Sequence, residues 1–123
     1  MGLDLRLILP WPEADAKAGV GWYATEIMAC NTLYLERDSD LFAAISTLEQ
    51  PLPAGFRVLD WDDDTGFVKN PATKYGDPWT YAEAGPLAAL MGEYDLKYHT
   101  MTRAAAAYLR ELDPTARIVL DWR

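Results

Sequence analysis

Leucines alternate at the start of the chain and a matching alternation runs close to its end; no other feature constrains the fold as much. Leu3, Leu5, Leu7 and Leu9 are separated by Asp4, Arg6 and Ile8, and residues two apart on a strand share a face. Ile118, Leu120 and Trp122 alternate in the same way with Arg117, Val119 and Asp121. Strand patterns at both ends predict that the two terminal strands lie in one sheet. With 123 residues, a chain of this size buries about two-thirds of its unfolded surface. That supports a core without disulfide staples and fits one domain spanning residues 1–123.

The segments between these strands supply the other layer. Pro10, Trp11 and Pro12 stop the first strand, and 13–21 reads as a polar connection. Residues 22–35 read as one extended segment, with Ile27, Ala29, Asn31, Leu33 and Leu35 on one face. Asp38 or Ser39 can cap a short helix whose Leu41, Phe42, Ile45 and Leu48 fall at helical spacing. Pro51, Pro53 and Gly55 end it, and 56–61 is a candidate strand closed by a turn at 62–66. Gly85-Pro86 places proline in a first helical turn, with Leu87, Leu90 and Met91 on one side. Thr100 or Thr102 can cap a further helix ended by Asp113-Pro114. The fold class is therefore α+β, a small mixed or antiparallel sheet including both terminal strands, with about three helices packed on it.

Composition excludes several classes. Half the residues are hydrophobic and 24% are charged, as in globular proteins. No apolar run approaches the roughly 18 residues that span a bilayer. The first residues lack the basic start of a secretory signal, and Arg6 stands where a myristoylation signal needs Ser or Thr. The single cysteine, Cys30, fits a reducing compartment, so the expected location is the cytoplasm of a host cell. Its place in an extended apolar segment predicts a buried, inert thiol. A net charge of −8 makes duplex nucleic acid a poor partner and favours basic ones.

Catalytic and metal chemistry find little support. Asp60, Asp62 and Asp64 alternate as calcium ligands do, but Thr65 stands where a calcium loop needs glycine and Pro71 where it needs glutamate. His99 is the only histidine, and no nucleophile motif surrounds it or Cys30. No resident metal or cofactor is expected. Residues 65–80 read as one long loop, and the segment 66–81 is the most informative part of the chain. Lys69 and Lys74 lie there beside Asn70, Thr73 and Thr80, interleaved with Phe67, Tyr75, Trp79 and Tyr81. Ammonium, amide and hydroxyl groups grip phosphate while aromatic faces stack a base. The candidate ligand-binding set is Lys69, Asn70, Thr73, Lys74, Tyr75, Trp79, Thr80 and Tyr81. The other account is an ordered surface loop anchored to the core by its aromatic residues. Trp22, Trp61 and Trp122 are expected in the core or at its edge, and Trp11 and Trp79 on an exposed recognition surface.

A resemblance adds a context. Leu35-Glu36-Arg37 through Leu41-Phe42, the Lys69, Tyr75-Gly76 and Tyr81 loop, and Arg103, Ala107-Tyr108-Leu109, Leu112, Pro114, Val119-Leu120 and Trp122 resemble small uncharacterised proteins encoded in phages and prophages. Where that group often carries a histidine, this chain has Ala29-Cys30-Asn31. The resemblance implies a neighbourhood of host-defence inhibitors. With the 66–81 loop, it leads to the expectation of a non-enzymatic sponge that sequesters a small phosphorylated nucleotide signal, as a homo-oligomer. The alternative is an acidic, anti-CRISPR-like inhibitor whose Asp60 to Asp64 occupy a basic nucleic-acid-binding surface of a host defence complex. A nucleotide-degrading enzyme is the third class considered.

Overall fold

The computed structural model describes residues 4–10 and 26–123. Its main sheet has five strands in the order β3 (Thr32–Tyr34), β1 (Leu5–Ile8), β8 (Arg117–Trp122), β7 (Thr80–Glu83) and β4 (Gln50–Pro51), and every pairing is antiparallel. The two terminal strands are direct neighbours, with Leu5 opposite Trp122 and Leu7 opposite Leu120. The backbones of Asp4 and Arg123 extend this ladder with bonds of 2.8 and 2.9 Å.

Three helices among the described residues cover one face of that sheet: α1 (Ser39–Ser46), α2 (Ala84–Gly92) and α3 (Thr100–Arg110). Leu41, Phe42 and Ile45 of α1, Leu87 and Met91 of α2, and Ala105, Ala106 and Leu109 of α3 bury against Leu5, Leu7, Ile118, Leu120 and Trp122. The expected α+β class, with both terminal strands in one sheet, is the observed one. No helix among the described residues is long and apolar enough to cross a membrane.

The opposite face carries a second, smaller core. Strand β5 (Arg57–Asp62) runs parallel to β2 (Glu26–Met28) and antiparallel to β6 (Gly66–Asn70). Ile27 and Val58 of this three-stranded sheet, with Ala29 and Trp79, enclose Ile8 and Val119. Both faces of β1 and β8 are therefore used, which explains why Ile8 and Val119 fill the spaces between the leucines. One pleat further on this second face are Arg6 and Asp121, directly opposite each other.

Several expectations are corrected. Residues 22–35 are not one strand. The described part turns at Ala29–Asn31 and splits between the two sheets, because Asn31 donates its side-chain amide to Leu9 O at 2.8 Å and its backbone N–H to Met28 O. This turn puts Cys30 on the surface, so the thiol is exposed rather than buried. The long loop at 65–80 begins instead as β6, joined to β5 by a tight turn that closes at Gly66, whose φ of 83° suits glycine. Gln50–Pro51 forms the short edge strand β4, a position where proline's missing N–H is tolerated. Trp61 is 62% exposed. Val58 points inward, so the odd-numbered neighbour three residues on points out. Trp79 is only 7% exposed, with its indole N–H on Asn70 O at 2.9 Å, and so is not a surface residue. Trp11, Trp22 and the 13–21 connection lie outside the described residues.

The helix starts are also more specific than expected. Asp38 caps α1 by accepting from Leu41 N at 3.0 Å. Neither Thr100 nor Thr102 caps α3; His99 holds the cap position without a side-chain cap bond. The donors of that first turn go to Glu36, whose carboxylate accepts from Met101 N at 2.6 Å and Thr102 N at 2.8 Å.

Candidate functional site

A broad cleft opens where the second core gives out. Arg6 sits in β1 between Tyr34 of β3 and Asp121 of β8, facing both in register. Its guanidinium hydrogen-bonds Asp121 Oδ2, donates to Tyr34 OH at 3.3 Å and lies 5.9 Å from the Tyr34 ring centroid. Burial alone would lower the Arg6 pKa, but the bonds to Asp121 and Tyr34 outweigh it and hold the guanidinium charge more firmly than usual. Asp121 is 2% exposed, and Arg123 Nε lies 3.5 Å from the same oxygen.

Arg37, just beyond β3, and Lys74-Tyr75, from the loop after β6, complete the walls. The cleft has a volume of about 610 Å³ and is lined by Arg6, Arg37, Lys74 and Arg123 with Tyr34 and Tyr75. Tyr34 and Tyr75 are 54% and 53% exposed, so each ring offers a face to a ligand. Lys74 Nζ lies 5.9 Å from the Tyr75 centroid. Among the described residues Asp4 is the only carboxylate in the lining, and it is hydrogen-bonded to Arg37 at 2.5 and 3.0 Å. That bond holds the Asp4 carboxyl below its ordinary range. Such a solvent-exposed pair is weak, so an incoming anion can displace it at little cost. Four of the chain's eleven cationic side chains thus meet at one cleft of a molecule whose net charge is −8.

The structure separates the eight candidate residues of the 66–81 segment. Lys74 and Tyr75 reach the cleft. Asn70, Thr73, Lys74 and Trp79 share the wall of an adjoining hollow. Asn70 donates to Asp60 Oδ2 at 2.6 Å, and Thr73 anchors the loop through its backbone bonds to Asp77 O and Gly76 N. Lys69 lies at a different hollow, beside Leu52, Pro53 and Phe56. Thr80 borders another, with Glu49 and Trp122. Tyr81 packs on the second core, donates to Gln50 at 3.2 Å and sits under Arg117. Trp79 and Tyr81 anchor the segment, while Lys74 and Tyr75 face the cleft.

Sequence reasoning missed Arg6, Tyr34, Arg37, Asp121 and Arg123. The available signal was the opposite charge of Arg6 and Asp121, each on the face of a terminal strand that alternates with its leucines. The acidic run forms the β5–β6 hairpin end. Asp62 Oδ1 accepts from Asp64 N at 2.9 Å and Thr65 N at 3.2 Å, which closes the turn and lowers the Asp62 pKa. His99 Nε2 faces Asp38 Oδ2 at 3.4 Å, away from the cleft lining. No protein-family model, curated protein or solved structure matches the chain.

Proposed function

We propose that the chain is a binding protein that sequesters a small phosphorylated nucleotide in the Arg6–Arg37–Lys74–Arg123 cleft. One observation carries this reading: four cations and two exposed tyrosine rings converge on one cleft in a strongly acidic chain. Guanidinium and ammonium groups hold phosphate oxygens by charge-assisted bonds, and tyrosine faces stack a base. Action against host immunity, as a phage-encoded sponge, follows from the sequence resemblance. A homo-oligomer remains part of the proposal, since a subunit interface would bury a charged ligand further. Calorimetric titration with linear and cyclic nucleotides tests the reading. Binding tighter than millimolar, lost on Arg37→Ala with Lys74→Ala, supports it, and no binding by any nucleotide refutes it.

A second reading, an acidic inhibitor of a basic host surface, is supported by a different place. Trp61 stands 62% exposed beside Asp62, Asp63 and Asp64, which are also exposed. An exposed tryptophan ringed by carboxylates suits the centre of a protein contact.

A further inference from the structure

The cleft adjoins a second hollow of about 340 Å³, and Arg6, Lys74 and Arg123 line both. The two sides of this cationic wall differ in chemistry. The cleft side offers the tyrosine faces. The other side offers Asp60 and Asn70, together with Thr73, Trp79 and Asp121. Each volume falls within the roughly 300–1,000 Å³ of small-molecule sites, enough for one nucleoside-sized group apiece.

Resting on the phosphorylated-nucleotide reading above, we propose that the paired site takes a dinucleotide. Its phosphates lie on the shared cations, one base stacks on the tyrosines, and the other enters the second hollow. A nucleoside polyphosphate fits this arrangement poorly. A tail that runs past the shared cations meets the Asp60 and Asp121 carboxylates of the second hollow, where like charges repel. A base bearing an exocyclic amine meets the opposite situation. The Asp60 carboxylate has about four lone-pair sites and spends one on Asn70, leaving acceptors for amine hydrogens. The Thr73 hydroxyl, buried and without a hydrogen-bond partner among the described residues, belongs to the same wall and offers a further polar group at this site.

The test is a calorimetric panel at fixed salt on the full chain. The probes are linear and cyclic dinucleotides of adenine, guanine, cytosine and uracil, the matching mononucleotides, and ATP and GTP. At least one amino-bearing dinucleotide is expected to bind ten times more tightly than its own mononucleotide, than either triphosphate and than diuridylate. Asp60→Asn and Tyr75→Ala should each weaken that dinucleotide about tenfold. If mononucleotides or triphosphates bind as tightly as every dinucleotide, the two-base assignment is overturned while the nucleotide reading stands. If no probe binds, both fall. The comparison among probes uses the unaltered chain, so it decides the matter even if a variant fails to fold.

Discussion

Arg6 and Asp121 face each other across the two terminal strands, and that single cross-strand pair joins the fold to the cleft. Asp121 is 2% exposed and Arg6 is 19% exposed at its side chain. Removing one partner of a buried pair leaves an uncompensated charge, at a cost of about 3–5 kcal/mol. The partial exposure of Arg6 puts Asp121→Ala at the lower end of that range. Replacing both residues by leucine should recover most of the loss, because apolar substitutes for buried pairs are often neutral or better. Urea unfolding of the single and double variants checks this. A double variant no more stable than Asp121→Ala would show that the pair is not the cause. The double variant should still lose nucleotide binding, which separates folding from function at one pair.

Lys74 and Lys69 look equivalent in sequence and are not equivalent in space. Lys74→Ala should weaken nucleotide binding ten- to a hundredfold, the roughly 1.5–3 kcal/mol of a charged hydrogen bond. Lys69→Ala should leave it unchanged, since Lys69 lies at a separate hollow. Both lysines are exposed, so neither change should move stability by more than about 0.5 kcal/mol. Equal effects of the two on affinity would sink the assignment of the cleft.

The contrast marks where sequence reading stopped. The terminal strands and helix stripes were legible because apolar periodicity reports a buried face directly, as at Leu5, Leu7, Leu41 and Ile45. The cleft was not. Arg6, Tyr34 and Asp121 are drawn from β1, β3 and β8, and only strand register brings them together. Trp79 misled because its neighbouring proline signals a loop but says nothing about burial. Trp61 misled in the other direction, because an aromatic residue on a hairpin strand has an outward face as well as an inward one.

Glu36 should make stability depend on pH. Burial works to raise its pKa, but the Thr102 hydroxyl and the Thr102 and Met101 N–H groups outweigh it and hold the carboxyl below its ordinary value of 4.5. A group depressed on folding stabilises the fold above its unfolded pKa, and that contribution disappears as pH falls through the folded one. The melting temperature should therefore drop on acidification below about pH 4.5, and more steeply in the parent chain than in Glu36→Gln. At neutral pH, Glu36→Ala should cost about 0.5–2 kcal/mol, as for loss of a helix cap. Parallel acid profiles for the parent and Glu36→Gln would contradict this. The comparison is needed because Asp4, Asp62 and Asp113 are depressed in the same direction.

Thr73→Val should stabilise the ligand-free chain while weakening the ligand. The hydroxyl is buried with no partner among the described residues, and such a group costs roughly 1–3 kcal/mol of desolvation. Valine has nearly the same shape and removes that cost. A raised melting temperature together with a weaker dinucleotide affinity is the expected pair of results. A lowered melting temperature would mean that the hydroxyl is satisfied in solution.

The acidic hairpin decides between the two functional readings, provided the right carboxylates are changed. Asp62 is a poor choice, because its side chain closes the turn through Asp64 N and Thr65 N. Asp63 and Asp64 are exposed, and Asp63 holds the Trp61 indole N–H at 2.9 Å. The triple variant Trp61→Ala, Asp63→Lys, Asp64→Lys should fold and keep full nucleotide affinity, since none of the three residues lines the cleft or its adjoining hollow. In a phage-protection assay it should remain active if the chain is a nucleotide sponge, whereas Lys74→Ala should not. A protein inhibitor that works through the hairpin reverses both results. Its contact should also weaken steeply with salt, because exposed charges are screened within about 10 Å at 0.1 M. Loss of activity in the triple variant, at unchanged nucleotide affinity and melting temperature, would assign the function to the hairpin instead of the cleft.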